Sequence, residues 1–149
     1  MVEQRESLVA YCGLYCGECF IGRGEIADRA TQLLGKFEEV DFQRVAAGLA
    51  GLFDEFETLA HYPECRHVLR AVAGLRCPSA CKEGGGSASC KIRECCRSKE
   101  LEGCWLCDEF PQCETLAWLQ PVNGDAHLKN LSKIREEGME RFLDGTKCW

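Results

Sequence analysis

The sequence predicts a mainly α fold, a small helical domain with irregular cysteine-rich metal-binding loops. Three observations predict it. Four stretches carry helical apolar spacing, the segment 76–113 has almost none, and eleven of the thirteen cysteines among 149 residues crowd into two places. No alternation typical of a strand runs beyond a few residues.

The helices come first. Over 25–38, Ile26, Ala30, Leu33, Leu34 and Phe37 share one stripe. Over 41–60, Val45, Leu49, Leu52, Phe53, Phe56 and Leu59 follow the spacing of a core-facing helix, with Asp41 as its N-cap. Pro63 marks a break, because proline suits a first helical turn and not a helix interior. Val68, Leu69, Val72 and Leu75 predict a third, short helix. A last helix over about 125–143 places Leu128, Leu131, Ile134 and Phe142 inward, with Asp125 at its N-cap.

Length and composition point to one domain over 1–149. Its parts are an N-terminal cysteine motif (1–24), helices (25–75), a cysteine-rich metal-binding region (76–113) and C-terminal helices (114–149). Hydrophobic residues at 46% and charged residues at 28% suit an ordinary globule. No apolar run is long enough to cross a bilayer, and the N-terminus leads into no signal-peptide core, so no membrane is involved and a cytoplasmic location is expected. The net charge of -6 argues against nucleic acid as a partner. The one basic stretch, Arg76, Lys82, Lys91, Arg93, Arg97 and Lys99, coincides with the densest cysteines and serves to offset thiolate charge.

An odd cysteine count, no secretory signal and a reducing compartment favour metal over disulfides. Cys104-Trp105-Leu106-Cys107 is a knuckle in which a two-residue spacer turns both sulfurs toward one ion, and Cys113 can return as a third ligand. Cys77, Cys81, Cys90 and Cys95 offer four thiols, with Gly84–Gly86 reversing the chain to bring Cys90 toward Cys81. A short helix over Lys91–Lys99 would carry Cys95 and turn Cys96 elsewhere. Cys12, Cys16 and Cys19 form a C-x3-C-x2-C run. That spacing occurs in radical S-adenosylmethionine enzymes, whose barrel this short helical chain cannot build. Cys65, Cys96 and Cys148 read as thiols filling space. His61 and His67 read as helix-end or surface groups, and Glu18 and Asp108 as neighbours of ligands.

These fragments together resemble the bacterial and archaeal domain of unknown function 3795 family. The resemblance rests on Tyr11–Cys19, Cys77-Pro78-Ser79-Ala80-Cys81 with its glycine loop, Cys90–Cys95, Gly103–Pro111 with Cys113, and the closing helix around Asn130–Arg135. It implies zinc binding and names no reaction. It also implies that Cys95 is a recurrent cysteine while Cys96 stands where a small residue is usual. Five residues separate Cys107 from Cys113, where the family has four.

The metal candidates are therefore Cys12, Cys16, Cys19, Cys77, Cys81, Cys90, Cys95, Cys104, Cys107 and Cys113. Two tetrahedral zinc ions would use eight of these ten, leaving one or two as bystanders, and the pairing into sites is open. The expected function is zinc held by thiolates in a structural or interaction role with a protein partner. Closed four-thiolate sites leave no coordination position for a substrate, so the reading leans away from an enzyme. The alternative is a 4Fe-4S iron–sulfur cluster for electron transfer or redox sensing.

Overall fold

The computed structural model describes residues 2–149. Among these residues there are nine α-helices, four 3-10 segments and no β-strand. In chain order the α-helices are α1 (Val2–Glu6), α2 (Phe20–Arg23), α3 (Glu25–Glu39), α4 (Phe42–Leu52), α5 (Tyr62–Ala73), α6 (Lys91–Ser98), α7 (Gln120–Asn123), α8 (Ala126–Glu137) and α9 (Met139–Asp144). The chain forms two compact units. One is Arg23–Arg76, and the other combines the N-terminal segment through Gly22 with Cys77–Trp149.

In the unit Arg23–Arg76, α3 packs on α5. Ala27 and Ala30 are the buried residues of α3, small enough to let the helices approach. Phe37, Phe42 and Tyr62 stack beyond them, with ring centroids 4.6, 5.2 and 5.1 Å apart. Ile26 and Leu33, expected on the inner stripe, are exposed. The helix expected over 41–60 ends at Leu52. Phe53 is extended, and Asp54–His61 continues as 3-10 turns. Gly48 and Gly51 weaken the last turns of α4, each by about 1 kcal/mol relative to alanine. Leu52 consequently stands 77% exposed, so the apolar stripe does not face one core. Asp41 precedes α4 as expected, yet makes no capping bond, and its carboxylate pairs with Arg44 at 3.1 Å instead. Pro63 sits in the first turn of α5 as proline prefers.

The other unit builds its core from loops as much as from helices. Leu131 and Ile134 of α8 and Phe142 and Leu143 of α9 meet Val9, Tyr15, Cys104, Trp105, Phe110 and Leu116. Full burial of each large apolar side chain contributes about 1.5–3 kcal/mol. The cysteine loops are therefore part of this core. The expected terminal helix over 125–143 is interrupted at Gly138, where φ is 90°. Leu131, Ile134 and Phe142 nevertheless face inward as their spacing predicts. Asp125 makes no side-chain capping bond and pairs instead with Lys129 at 3.1 Å. Asn130 on α8 receives the Cys148 N–H at 2.8 Å and donates to the Cys148 carbonyl at 3.0 Å, which fastens the C-terminal segment.

Candidate metal centre

The N-terminal motif is a knot of backbone bonds. Ala10 N–H donates to Leu14 O and Cys16 N–H to Leu8 O, both at 2.8 Å, which turns the chain sharply between Cys12 and Cys16. The sulfur of Cys16 then accepts the backbone N–H of Cys81 at 3.5 Å, joining segments 65 positions apart. After Cys81 the chain reverses through Gly84 and Gly86, both at positive φ. Between them Gly85 donates to Ala80 O at 2.9 Å. A Cβ on Gly85 would lie 1.7 Å from Ser79 O, so only glycine fits. The return path delivers Cys90 to the N-cap of α6.

Arg93, on the first turn of α6, organises this loop. It is 5% exposed. Its guanidinium donates to the carbonyls of Gly85 and Ser87 at 2.6 Å each, and to those of Cys81 and Ala88 at 3.3 Å. Among the described residues no carboxylate pairs with it, so a buried positive charge faces a loop whose neighbouring acids are thiols. The thiols of Cys12, Cys16, Cys81 and Cys90 lie near enough to act on one another's charge. Burial, chiefly, pushes Cys12 up to about 12, with a backbone bond from Leu14 opposing and the charges of Cys81, Cys90 and Cys16 adding to the rise. Burial likewise raises Cys16 and Cys81, against the Cys81 amide in the first case and Tyr11 and Arg93 in the second.

A second set of thiols surrounds a small apolar pocket. Cys95, Cys96, Cys104, Cys107 and Cys113 line it with Ile92, Leu101, Phe110 and Leu116. Cys104 opens a single 3-10 turn, Cys104–Leu106, and its N–H donates to Tyr11 O at 2.8 Å. Arg135 of α8 holds the next turn, donating to Phe110 O at 3.2 Å and Cys107 O at 3.5 Å. Lys99 places its ammonium 3.9 Å from the Cys107 sulfur and 2.6 Å from Glu109. Cys96 is buried, and its sulfur lies 3.5 Å from that of Cys104. Their shared hydrogen bond lowers Cys96 and raises Cys104. Cys95 is raised by burial, with Lys99 opposing.

The ten candidates thus fall into two neighbourhoods, Cys12, Cys16, Cys19, Cys77, Cys81 and Cys90 in one and Cys95, Cys104, Cys107 and Cys113 in the other. Cys19 and Cys77 lie beside Cys16, where their charges act on it. Cys65 is exposed, and Cys148 lies in the segment that Asn130 fastens. Glu18 pairs with Lys147 at 3.5 Å. Of the basic stretch, Arg93 and Lys99 face the cysteine loops. Lys82 lies over the rings of Trp105 and Tyr11, at 5.4 and 5.9 Å. Arg76 is used differently, pairing with Asp28 within the unit Arg23–Arg76. The carbonyl clamps of Arg93 and Arg135 were not read from the sequence. Arg93 stands three residues after Cys90 on a helix, a usable signal, whereas Arg135 is 25 positions from the turn it holds.

As they stand, no three Cys, His, Asp or Glu side chains among the described residues converge into a metal-holding group. The donor chemistry nevertheless fits a thiophilic ion. Each neighbourhood offers at least four sulfurs, the Cys81 amide points at Cys16, and Arg93 and Lys99 bring positive charge to offset thiolates.

Fold and site define a small, mainly α protein whose core is built around clustered cysteines. The family described as Protein of unknown function (DUF3795) matches residues 8–118, three quarters of the chain and all ten candidate cysteines, and the chain belongs to that family. No curated protein and no solved structure matches it. No helix among the described residues is long and apolar enough to cross a membrane.

Proposed function

We propose that this protein binds two zinc ions through cysteine thiolates, in a structural or interaction role toward a protein partner. One ion would be held by Cys12, Cys16, Cys81 and Cys90, the other by Cys95, Cys104, Cys107 and Cys113. The observation that carries this reading is the gathering of the ten motif thiols into two neighbourhoods, each with at least four sulfurs. The buried, carboxylate-free Arg93 beside the first group supports it, since a four-thiolate zinc site has a net negative charge that such a cation offsets. When bound, zinc would supply a cross-link between the segments that carry the sulfurs. The chain's own contribution is to present the sulfurs, donate amide hydrogen bonds to them and hold the loops by arginine.

The C-x3-C-x2-C run keeps the iron–sulfur reading in play, because Cys19 stands close to Cys16. One experiment separates the two. Protein purified without oxygen is analysed for zinc, iron and labile sulfide, and its spectrum is recorded. Zinc near two per chain in a colourless preparation supports the proposal. Stoichiometric iron and sulfide, with broad absorption near ~400 nm that fades in air, would replace it with the cluster. A metal-free chain with reduced thiols would defeat both.

A further inference from the structure

Five thiols line the second pocket, where a closed tetrahedral site takes four. Cys96 is the fifth. It lies on the inner face of α6, 2% exposed, and its sulfur is 3.5 Å from that of Cys104, itself 8% exposed. Closing that gap to a disulfide bond of about 2.05 Å takes a relative movement of about 1.5 Å. Cys104 sits at the edge of a single 3-10 turn, so the movement falls on a loop and not on a helix.

We infer that Cys96 and Cys104 form a redox-active dithiol, a modification site in which oxidation by a peroxide ties Cys104 to Cys96 and withdraws it from the second metal site. Its consequence for metal retention rests on the zinc reading above, while the dithiol itself does not. The chemistry is balanced with hydrogen peroxide as the oxidant. One sulfur attacks the O–O bond, an S–O bond forms as O–O breaks, and the departing hydroxide takes the thiol proton to become water. The second sulfur then attacks the resulting sulfenic sulfur and the S–S bond forms as S–O breaks; the leaving hydroxide takes the second thiol proton as another water, or a proton from solvent where that sulfur was a metal-bound thiolate. Two thiols and one peroxide give one disulfide and two waters. A dithiol reductant reverses the modification. Hydrogen peroxide is small and neutral, which suits an apolar pocket lined by Ile92, Leu101 and Leu116.

The test uses the full metal-loaded chain and its Cys96→Ala variant, which leaves the four proposed ligands in place. Both are treated with hydrogen peroxide, alkylated under denaturing conditions and mapped by peptide mass spectrometry, while released zinc is followed with a chromogenic chelator. The expected result is a Cys96–Cys104 cross-link in the parent chain, one equivalent of zinc released, and reversal by dithiothreitol. The variant should bind the same metal beforehand and release that equivalent about tenfold more slowly. Cys96 recovered as a free alkylated thiol after oxidation overturns the inference, and so does a variant that has already lost one metal, since Cys96 would then be a ligand. If the chain holds no zinc, the zinc reading fails on metal content, and the dithiol is judged on the cross-link alone: its formation supports the pair and its absence overturns it.

Discussion

The Arg93 guanidinium donates to the carbonyl of Cys81 at 3.3 Å, so a side chain on α6 fixes the backbone of a thiol-bearing residue twelve positions earlier. The same guanidinium holds Gly85 and Ser87 at 2.6 Å each. Replacing it with an apolar side chain strands these carbonyls in a buried setting. Arg93→Met should destabilise the metal-loaded chain by about 3 kcal/mol, read as a lowered urea midpoint. Arg93→Lys should recover part of the loss, because an ammonium keeps the charge but not the fork. An unchanged midpoint in Arg93→Met would show that the loop holds itself.

Gly85→Ala is a sharper probe of the same loop. Its Cβ would sit 1.7 Å from Ser79 O, and the backbone must shift. The expected cost is about 2–4 kcal/mol. The local readout is alkylation: Cys81 and Cys90 should react faster than in the parent chain, while Cys104 and Cys107 keep their rates. Equal acceleration at all four would mean a global effect and would count against a local loop.

Much of this was legible in the sequence. Leu131, Ile134 and Phe142 could be placed inward because helical periodicity reports burial directly. Pro63 and Cys90 marked their helix starts. The break at Phe53 was not legible, since Leu52 and Phe53 continue the apolar spacing while the backbone leaves the helix. Asp41 and Asp125 occupy cap positions without capping, because carboxylates near a helix start can choose a lysine or arginine instead. The grouping of thiols was beyond reach, because Cys16 meets Cys81 across 65 positions that no local pattern encodes. Cys96 was read as a space-filling thiol from its sequence context, and only its distance to Cys104 reveals a partner.

His127 predicts a pH dependence. It is fully buried; its Nε2–H donates to Leu116 O at 2.9 Å, and its Nδ1 has no hydrogen-bond partner. Burial, chiefly, holds its pKa below the ordinary 6.5, with the Leu116 carbonyl and Asp125 opposing. The unfolded chain takes up a proton near 6.5, and the folded chain only at lower pH. Between the two values the unfolded state binds more protons, so stability falls as pH falls through that window and is flat above it. Urea midpoints measured from about pH 7.5 down to 5 should decline more steeply in the parent chain than in His127→Gln. Parallel declines would remove His127 as a cause.

Metal removal should act unevenly. The unit Arg23–Arg76 has its own aromatic cluster of Phe37, Phe42 and Tyr62 and contains none of the proposed ligands. The other unit shares its core with Cys104 and Trp105, and structural zinc contributes on the order of 10 kcal/mol or more to such folds. Chelation should therefore open the segment 77–113 to protease together with α8 and α9, while fragments spanning α3 to α5 persist. Survival of α8 after chelation would show that its packing stands without the ion.

The contact between Cys16 and Cys81 also sets an order of assembly. Cys95 to Cys113 spans eighteen positions, against the 65 that separate Cys16 from Cys81. Loop closure over the longer span costs about 1 kcal/mol more. On a growing chain the N-terminal thiols emerge first yet wait through the whole excursion of α3, α4 and α5 for Cys81 and Cys90. The later thiols have their partners within a few turns of chain. The centre begun first in synthesis is thus the one whose ring closes over the longer path, and the compact later set has the kinetic advantage in gathering its sulfurs.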